Sequence, residues 1–148
     1  MEFELLKKLV SIPSHFGNEE RISRFLESFL EEHGFNVETV EVEGFGNDVI
    51  ARLPGTGPTV VLNGHMDTVG LSEGWIRDPW GELDGDRFYG LGSADMKAGL
   101  AALLAAFVEL GELSRDERPN LIFTAVSDEE GYSRGTWELI KSGRLEEA

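Results

Sequence analysis

Cysteine is absent from the 148 residues, which excludes disulfides and thiolate metal sites alike. Basic residues are scarce: 13 Lys and Arg stand against 28 Asp and Glu, for a formal charge of −15. Nucleic acid needs a basic surface to meet its phosphates, and anionic membranes need basic clusters. Neither is expected as a partner. No apolar run approaches the roughly 18 residues of a membrane span. The start, Met1-Glu2-Phe3-Glu4, lacks the basic flank and apolar stretch of a signal peptide. A soluble protein of the cytoplasm is expected.

Hydrophobic residues make up 41 % of the chain, enough for the core of one domain of ordinary size. Residues 4 to 10 read as a short helix, halted before Pro13. Between Asn18 and His33 apolar residues recur as Ile22, Phe25, Leu26, Phe29 and Leu30, one face of a helix, with Gly34 as a left-handed stop. Strands are expected around Val37 to Val42 and at Asp48 to Leu53. Pro54-Gly55-Thr56-Gly57-Pro58 marks a turn. Thr59 to Leu62 is uniformly apolar, as in a central strand covered on both faces. Residues 70 to 81 read as a loop, and a hairpin is expected around Asp84-Gly85. Met96 to Leu110 predicts a buried helix, Asn120 to Val126 a second buried strand, and Thr136 to Lys141 another helix. The tail, Arg144 to Ala148, reads as the end of a helix or loop. The alternation implies an α/β layer architecture with a mostly parallel sheet.

Sites in open α/β sheets form at the carboxyl ends of strands, and both buried strands end in metal-type ligands. The first runs into Gly64-His65-Met66-Asp67, the second into Ser127-Asp128-Glu129-Glu130-Gly131. Between them Gly90-Leu91-Gly92-Ser93-Ala94-Asp95 leads into the buried helix. His65 and Asp67, two apart, point the same way if strand geometry persists, so one can ligate while the other supports it. The bland alternative is a strand-end histidine beside an unrelated turn aspartate. Asp95 reads equally as a helix N-cap. A dinucleotide reading of Gly-Leu-Gly fails, because Asp95 replaces the third glycine and repels pyrophosphate. Lys97 reads as a first-turn surface residue in preference to a phosphate ligand. Of Glu129 and Glu130, one can enter a metal shell while the other takes a proton from the attacking water; a plain acidic loop is the alternative.

Taken together, these segments resemble the zinc exopeptidases and deacylases, the group of acetylornithine deacetylase, succinyl-diaminopimelate desuccinylase, aminoacylase and glutamate carboxypeptidase. The resemblance spans Leu9-Val10-Ser11-Ile12-Pro13-Ser14, Asn63 to Val69, Asp78-Pro79-Trp80, Tyr89 to Gly99 and Asp128 to Gly131. It implies the N-terminal part of a three-layer αβα catalytic domain with a mixed sheet, residues 1 to 148 forming an incomplete metal-dependent domain without the lid. It further implies two divalent ions, zinc first and cobalt or manganese as alternatives. His65 would bind one metal, Asp95 would bridge both, and Glu130 would bind the second. Asp67 would tune His65, and Glu129 would be the general base. Leu91 departs from the arginine that many members carry between the two glycines, which touches no ligand.

In that family a further carboxylate, a distal histidine and the lid complete the site. Here His15 and His33 match neither missing ligand. Trp75 and Trp80 are candidates for the pocket mouth, with packing anchors as the alternative. Zinc in a hydrolytic site normally has three protein ligands, so little activity is expected of the chain alone. The implied substrate is a small acylated amino acid or peptide, and a second copy or a complementary C-terminal chain is the implied partner. The competing reading is a non-catalytic interaction module built on the same fold.

Overall fold

Side chains of a strand alternate between two faces, and the strand Asn120–Val126 uses both. Leu121, Phe123 and Ala125 enter one apolar cluster; Ile122 and Val126 enter another. The computed structural model describes residues 1–146 and builds two helical layers around this strand. Its elements are α1 (Glu2–Val10), α2 (Glu20–Glu32), β1 (Val37–Val40), β2 (Asp48–Leu53), β3 (Thr59–His65), β4 (Glu82–Asp84), β5 (Arg87–Tyr89), α3 (Ala98–Gly111), β6 (Asn120–Val126) and α4 (Arg134–Lys141). Of the expected tail, Arg144 to Glu146 form turn after α4, while Glu147 and Ala148 lie outside the described residues.

The main sheet has the order β1-β2-β6-β3. It is mixed, as expected, but parallel pairing is confined to β3 and β6. A short connection joins β1 to β2 and forces them antiparallel, and β2 also runs antiparallel to β6. The expected majority of parallel pairs is therefore not found among the described residues. β3 is also not covered on both faces. It forms the edge of this sheet, with Val60 41 % exposed. Its apolar run reflects one buried face and a partly open one.

One face carries α1, α2 and α3 over a core in which Phe107 packs between Phe35 and Phe123, at centroid distances of 4.9 and 5.7 Å. The opposite face carries α4, whose Leu139 packs with Ile50, Ile122 and Val126. α2 buries Ile22, Leu26 and Leu30 from the predicted stripe, and Gly34 adopts φ +83° just beyond it. The hairpin forms as expected from β4 and β5, with Gly85 at φ +63° in its turn.

The buried helix starts later than its apolar pattern suggests. Ser93–Lys97 forms a single wide turn, broken at Asp95 (φ −122°, ψ 105°) and Met96 (φ −124°, ψ 28°), and α3 begins at Ala98. The Asp95–Met96 peptide is cis. Asp95 is not the helix N-cap, a position that falls to Lys97. Gly64 in β3 faces this turn, where a Cβ would lie 2.8 Å from Met96 Cε at the flexible end of that side chain.

Candidate metal site

Parallel pairing aligns the carboxyl ends of β3 and β6. His65 lies opposite Val126, and the Met66 amide extends the ladder by donating to Val126 O at 2.9 Å. The loops carrying Asp67 and Glu129-Glu130 therefore emerge side by side. Gly92 brings the third segment in: its φ is +72°, and a Cβ would fall 2.3 Å from Thr68 Cγ2. From that close approach the Asp95 turn reaches His65. The His65 amide donates to Met96 Sδ at 3.2 Å.

His65 is buried, and its two ring nitrogens have different surroundings. Nδ1 lies 3.1 Å from the Asp67 carbonyl oxygen and 3.4 Å from the Asp67 carboxylate. The carbonyl is the nearer acceptor for an Nδ1–H, so the support comes from the Asp67 main chain as well as its side chain. Nε2 faces Asp95 Oδ1 at 3.3 Å and Glu129 Oε2 at 3.6 Å. Burial opposes charging the ring, but hydrogen bonding to Asp67 and the charges of Asp67 and Glu129 outweigh it, pushing the pKa up to about 9.

Asp67 does more than face His65. Its Oδ1 accepts from the Glu129 amide at 3.1 Å and its Oδ2 from the Glu130 amide at 2.9 Å. Burial alone would raise its pKa, but His65 and the two amides hold the carboxyl below its ordinary value. One carboxylate thus orients the imidazole and fixes the two glutamates. Glu130 lies above its ordinary pKa through partial burial and the nearby Asp95.

His65, Asp95 and Glu130 each offer a ligand atom, and these atoms lie within 4.8 Å of one another. Asp95 and Glu130 are exposed, so the cluster opens to solvent. The structure brings together all five residues singled out in the sequence: the three of the cluster, Asp67 beneath them and Glu129 beside His65. One imidazole and two carboxylates, with further acidic groups around them, are a donor set that fits a divalent cation. His15 and His33 are engaged elsewhere, with Asn18 and with Phe29 O. Trp75 borders a shallow cavity with Gly74, Ile76, Arg77 and Tyr89, none of them in the cluster. The Trp80 amide donates to Asp78 Oδ1 at 2.9 Å, a local turn contact.

The burial of several residues of this region was not readable in the sequence. Asp128 is buried at φ +57°, and its Oδ2 accepts from the amides of Tyr132 and Arg134 and from the Arg134 guanidinium at 2.8 Å. Asp48 is buried and accepts from the Ser127 amide at 2.9 Å, while its Oδ2, like Asp128 Oδ1, has no partner among the described residues. Burial pushes its pKa up to about 7 against the pull of that amide. Glu19 is buried, with neither carboxylate oxygen hydrogen-bonded among the described residues; burial raises its pKa to about 7 against the pull of the Glu19 and Gly17 main chain, helped by Asp67 and Asp128. Lys97 corrects an expectation outright. It is 1 % exposed, and its Nζ donates to Leu9 O at 2.9 Å and Ile12 O at 2.8 Å. Burial lowers its pKa to about 8.

An open acidic cluster around one imidazole, at the carboxyl ends of neighbouring parallel strands, defines an α/β protein with a metal-type centre. Residues 61–148 match Peptidase family M20/M25/M40. The chain is 39 % identical over 138 residues to a Pyrococcus abyssi protein assigned as a LysW-lysine/LysW-ornithine hydrolase, covering 93 % of this chain and 36 % of that protein. It is 38 % identical over 139 residues to the succinyl-diaminopimelate desuccinylase of Wolinella succinogenes, again covering 93 % and 36 %. The M20 family metallo-carboxypeptidase Sso-CP2 of Sulfolobus solfataricus shares the fold with a TM-score of 0.84 at 20 % identity, over 99 % of this chain and 35 % of that one. The chain belongs to peptidase family M20/M25/M40. It spans about a third of the length of the relatives it matches.

Proposed function

We propose that this chain supplies part of the active centre of a metal-dependent hydrolase that cleaves amide bonds of N-acylated amino acids or peptides. The observation that carries the reading is the convergence of His65, Asp95 and Glu130, from three separate segments, to within 4.8 Å. His65 and Asp95 would hold one divalent ion, and Asp95 and Glu130 a second. Zinc is the first candidate, with cobalt or manganese as alternatives. A bound cation supplies Lewis acidity, polarising the scissile carbonyl and acidifying water. Glu129, beside His65 and exposed, would take the proton from the attacking water and return it to the leaving nitrogen. Asp67 would keep the His65 ring and both glutamates in register. The relative named for desuccinylation supports the substrate class.

Two ligands for each ion, one of them shared, fall short of the three that hold zinc in hydrolytic sites. The chain alone should bind cations weakly and turn over little substrate. The test is a cobalt titration followed by visible absorption, with His65→Ala and Glu130→Gln beside the unaltered chain. Saturable uptake that both substitutions abolish is expected, together with no hydrolysis of N-acyl amino acids by the chain alone. Failure of the unaltered chain to take up cobalt would sink the assignment, and full turnover by it would sink the expectation of weak ligation. A second reading, an interaction module, is favoured by the open edge of β3. Hydrolysis appearing on addition of a complementary C-terminal chain would decide against it.

A further inference from the structure

The two loops that carry His65 and Asp95 are both tied to one stretch of the N-terminal segment. On one side Lys97, two residues beyond Asp95, sends its Nζ to Leu9 O and Ile12 O, where α1 ends. On the other side Ser14 makes two bonds to the loop after His65: its Oγ donates to Met66 O at 2.8 Å, and its carbonyl accepts from the Thr68 amide at 3.1 Å. Lys97 and Ser14 are 1 % and 0 % exposed. Among the described residues the lysine has no carboxylate partner; its charge rests on main-chain oxygens at the C-terminal end of a helix, where the dipole favours a cation. A buried ammonium held this way fixes the distance between two backbones, because releasing either carbonyl strands an N–H in an apolar interior. Between the tethers the His65 amide meets Met96 Sδ, so the Asp95 turn and the His65 strand end also touch directly.

We propose that the segment Leu9–Ser14, clamped by Lys97 on one side and Ser14 on the other, sets the separation of His65 from Asp95, making Lys97 and Ser14 positioning residues of the metal centre. The proposal rests on the metal reading for its purpose but not for its geometry. Neither side chain touches the reacting groups. Both act through backbone, so their loss should loosen the site without dissolving the sheet.

Amide hydrogen exchange on the metal-free 148-residue chain tests the geometry. In Lys97→Met the amides of His65 and Lys97 should exchange at least tenfold faster, while Ile122 and Ala125 in β6 keep their protection. In Ser14→Ala the same acceleration should centre on Thr68. Uniform acceleration across β6 would reduce Lys97 to a general stabiliser and overturn the proposal; so would unchanged exchange at His65. Should Lys97→Met not fold, Ser14→Ala decides alone by the same criterion. Cobalt titration then reads the consequence, with affinity expected to fall at least tenfold in both variants and the absorption band to shift. Unaltered cobalt affinity and spectrum in a variant that shows the exchange effect would overturn the positioning role. If the unaltered chain binds no cobalt although the exchange pattern holds, the metal reading fails while the tether stands.

Discussion

The interior of this chain is built in two ways. Beneath α1, α2 and α3 the sheet rests on an apolar core whose members, such as Leu104, Phe107 and Phe123, are fully buried and need nothing but close packing. At the carboxyl ends of β3 and β6 the interior instead holds carboxylates: Glu19, Asp48, Asp67 and Asp128 are all at most 1 % exposed. Asp67 and Asp128 are met by amides and by His65 or Arg134. Among the described residues both oxygens of Glu19, and one oxygen each of Asp48 and Asp128, lack a hydrogen-bond partner. The first region stabilises the fold by burial. The second gives up stability, because burying carboxylates costs free energy that their partners only partly return.

The largest expected effect lies on the apolar side of this contrast. Phe123→Ala removes a fully buried ring that touches Phe107 and should cost about 3–5 kcal/mol, a large share of a typical domain's stability. Urea denaturation reads it, and a loss below about 1 kcal/mol would show that this core is not the main source of stability.

The carboxylate end should instead respond to pH. Glu19 and Asp48 have folded pKa values of about 7, against ordinary values of 4.5 and 3.8. Both are raised on folding, so their contribution is intact below about pH 4 and is lost as pH rises through 7. The chain should therefore lose stability between pH 4 and pH 8, on the order of 3–4 kcal/mol for each group. Glu19→Gln and Asp48→Asn should each flatten that decline in melting temperature, whatever they do to its absolute value. A pH profile as steep in both variants as in the parent would mean that these carboxyls are solvated or paired after all.

The smallest effect is the control for charge outside the interior. Arg24 and Glu20 pair at 2.5 Å on α2 with side chains 73 % and 69 % exposed. Arg24→Ala should change stability by less than about 0.5 kcal/mol, with no change in the pH profile. A larger effect would erase the distinction between buried and exposed charge drawn above.

Much of this was legible in the residues themselves. The strands at 48–53 and 120–126 and the stripe of α2 follow from periodicity, which local backbone geometry imposes without reference to the rest of the chain. His65, Glu129 and Glu130 stood out because they follow apolar runs, where solvation explains a polar group poorly, whereas Asp95 read equally as a helix N-cap and took its candidate role from the family resemblance. What stayed hidden depends on partners distant in sequence. Asp48 meets Ser127 across 79 residues, and Lys97 meets Leu9 across 88. The charge of Lys97 suggested the surface; only the arrival of the α1 carbonyls makes its burial tolerable. The edge position of β3 was likewise not readable, since an apolar strand looks alike at the centre of a sheet and at its margin. The sequence by itself determined the elements and the donor atoms, because those follow from covalent chemistry and short-range sterics. Only the tertiary structure decided which carboxylates share the interior and what holds the site in register, because burial and hydrogen bonding belong to pairs of groups and not to single residues.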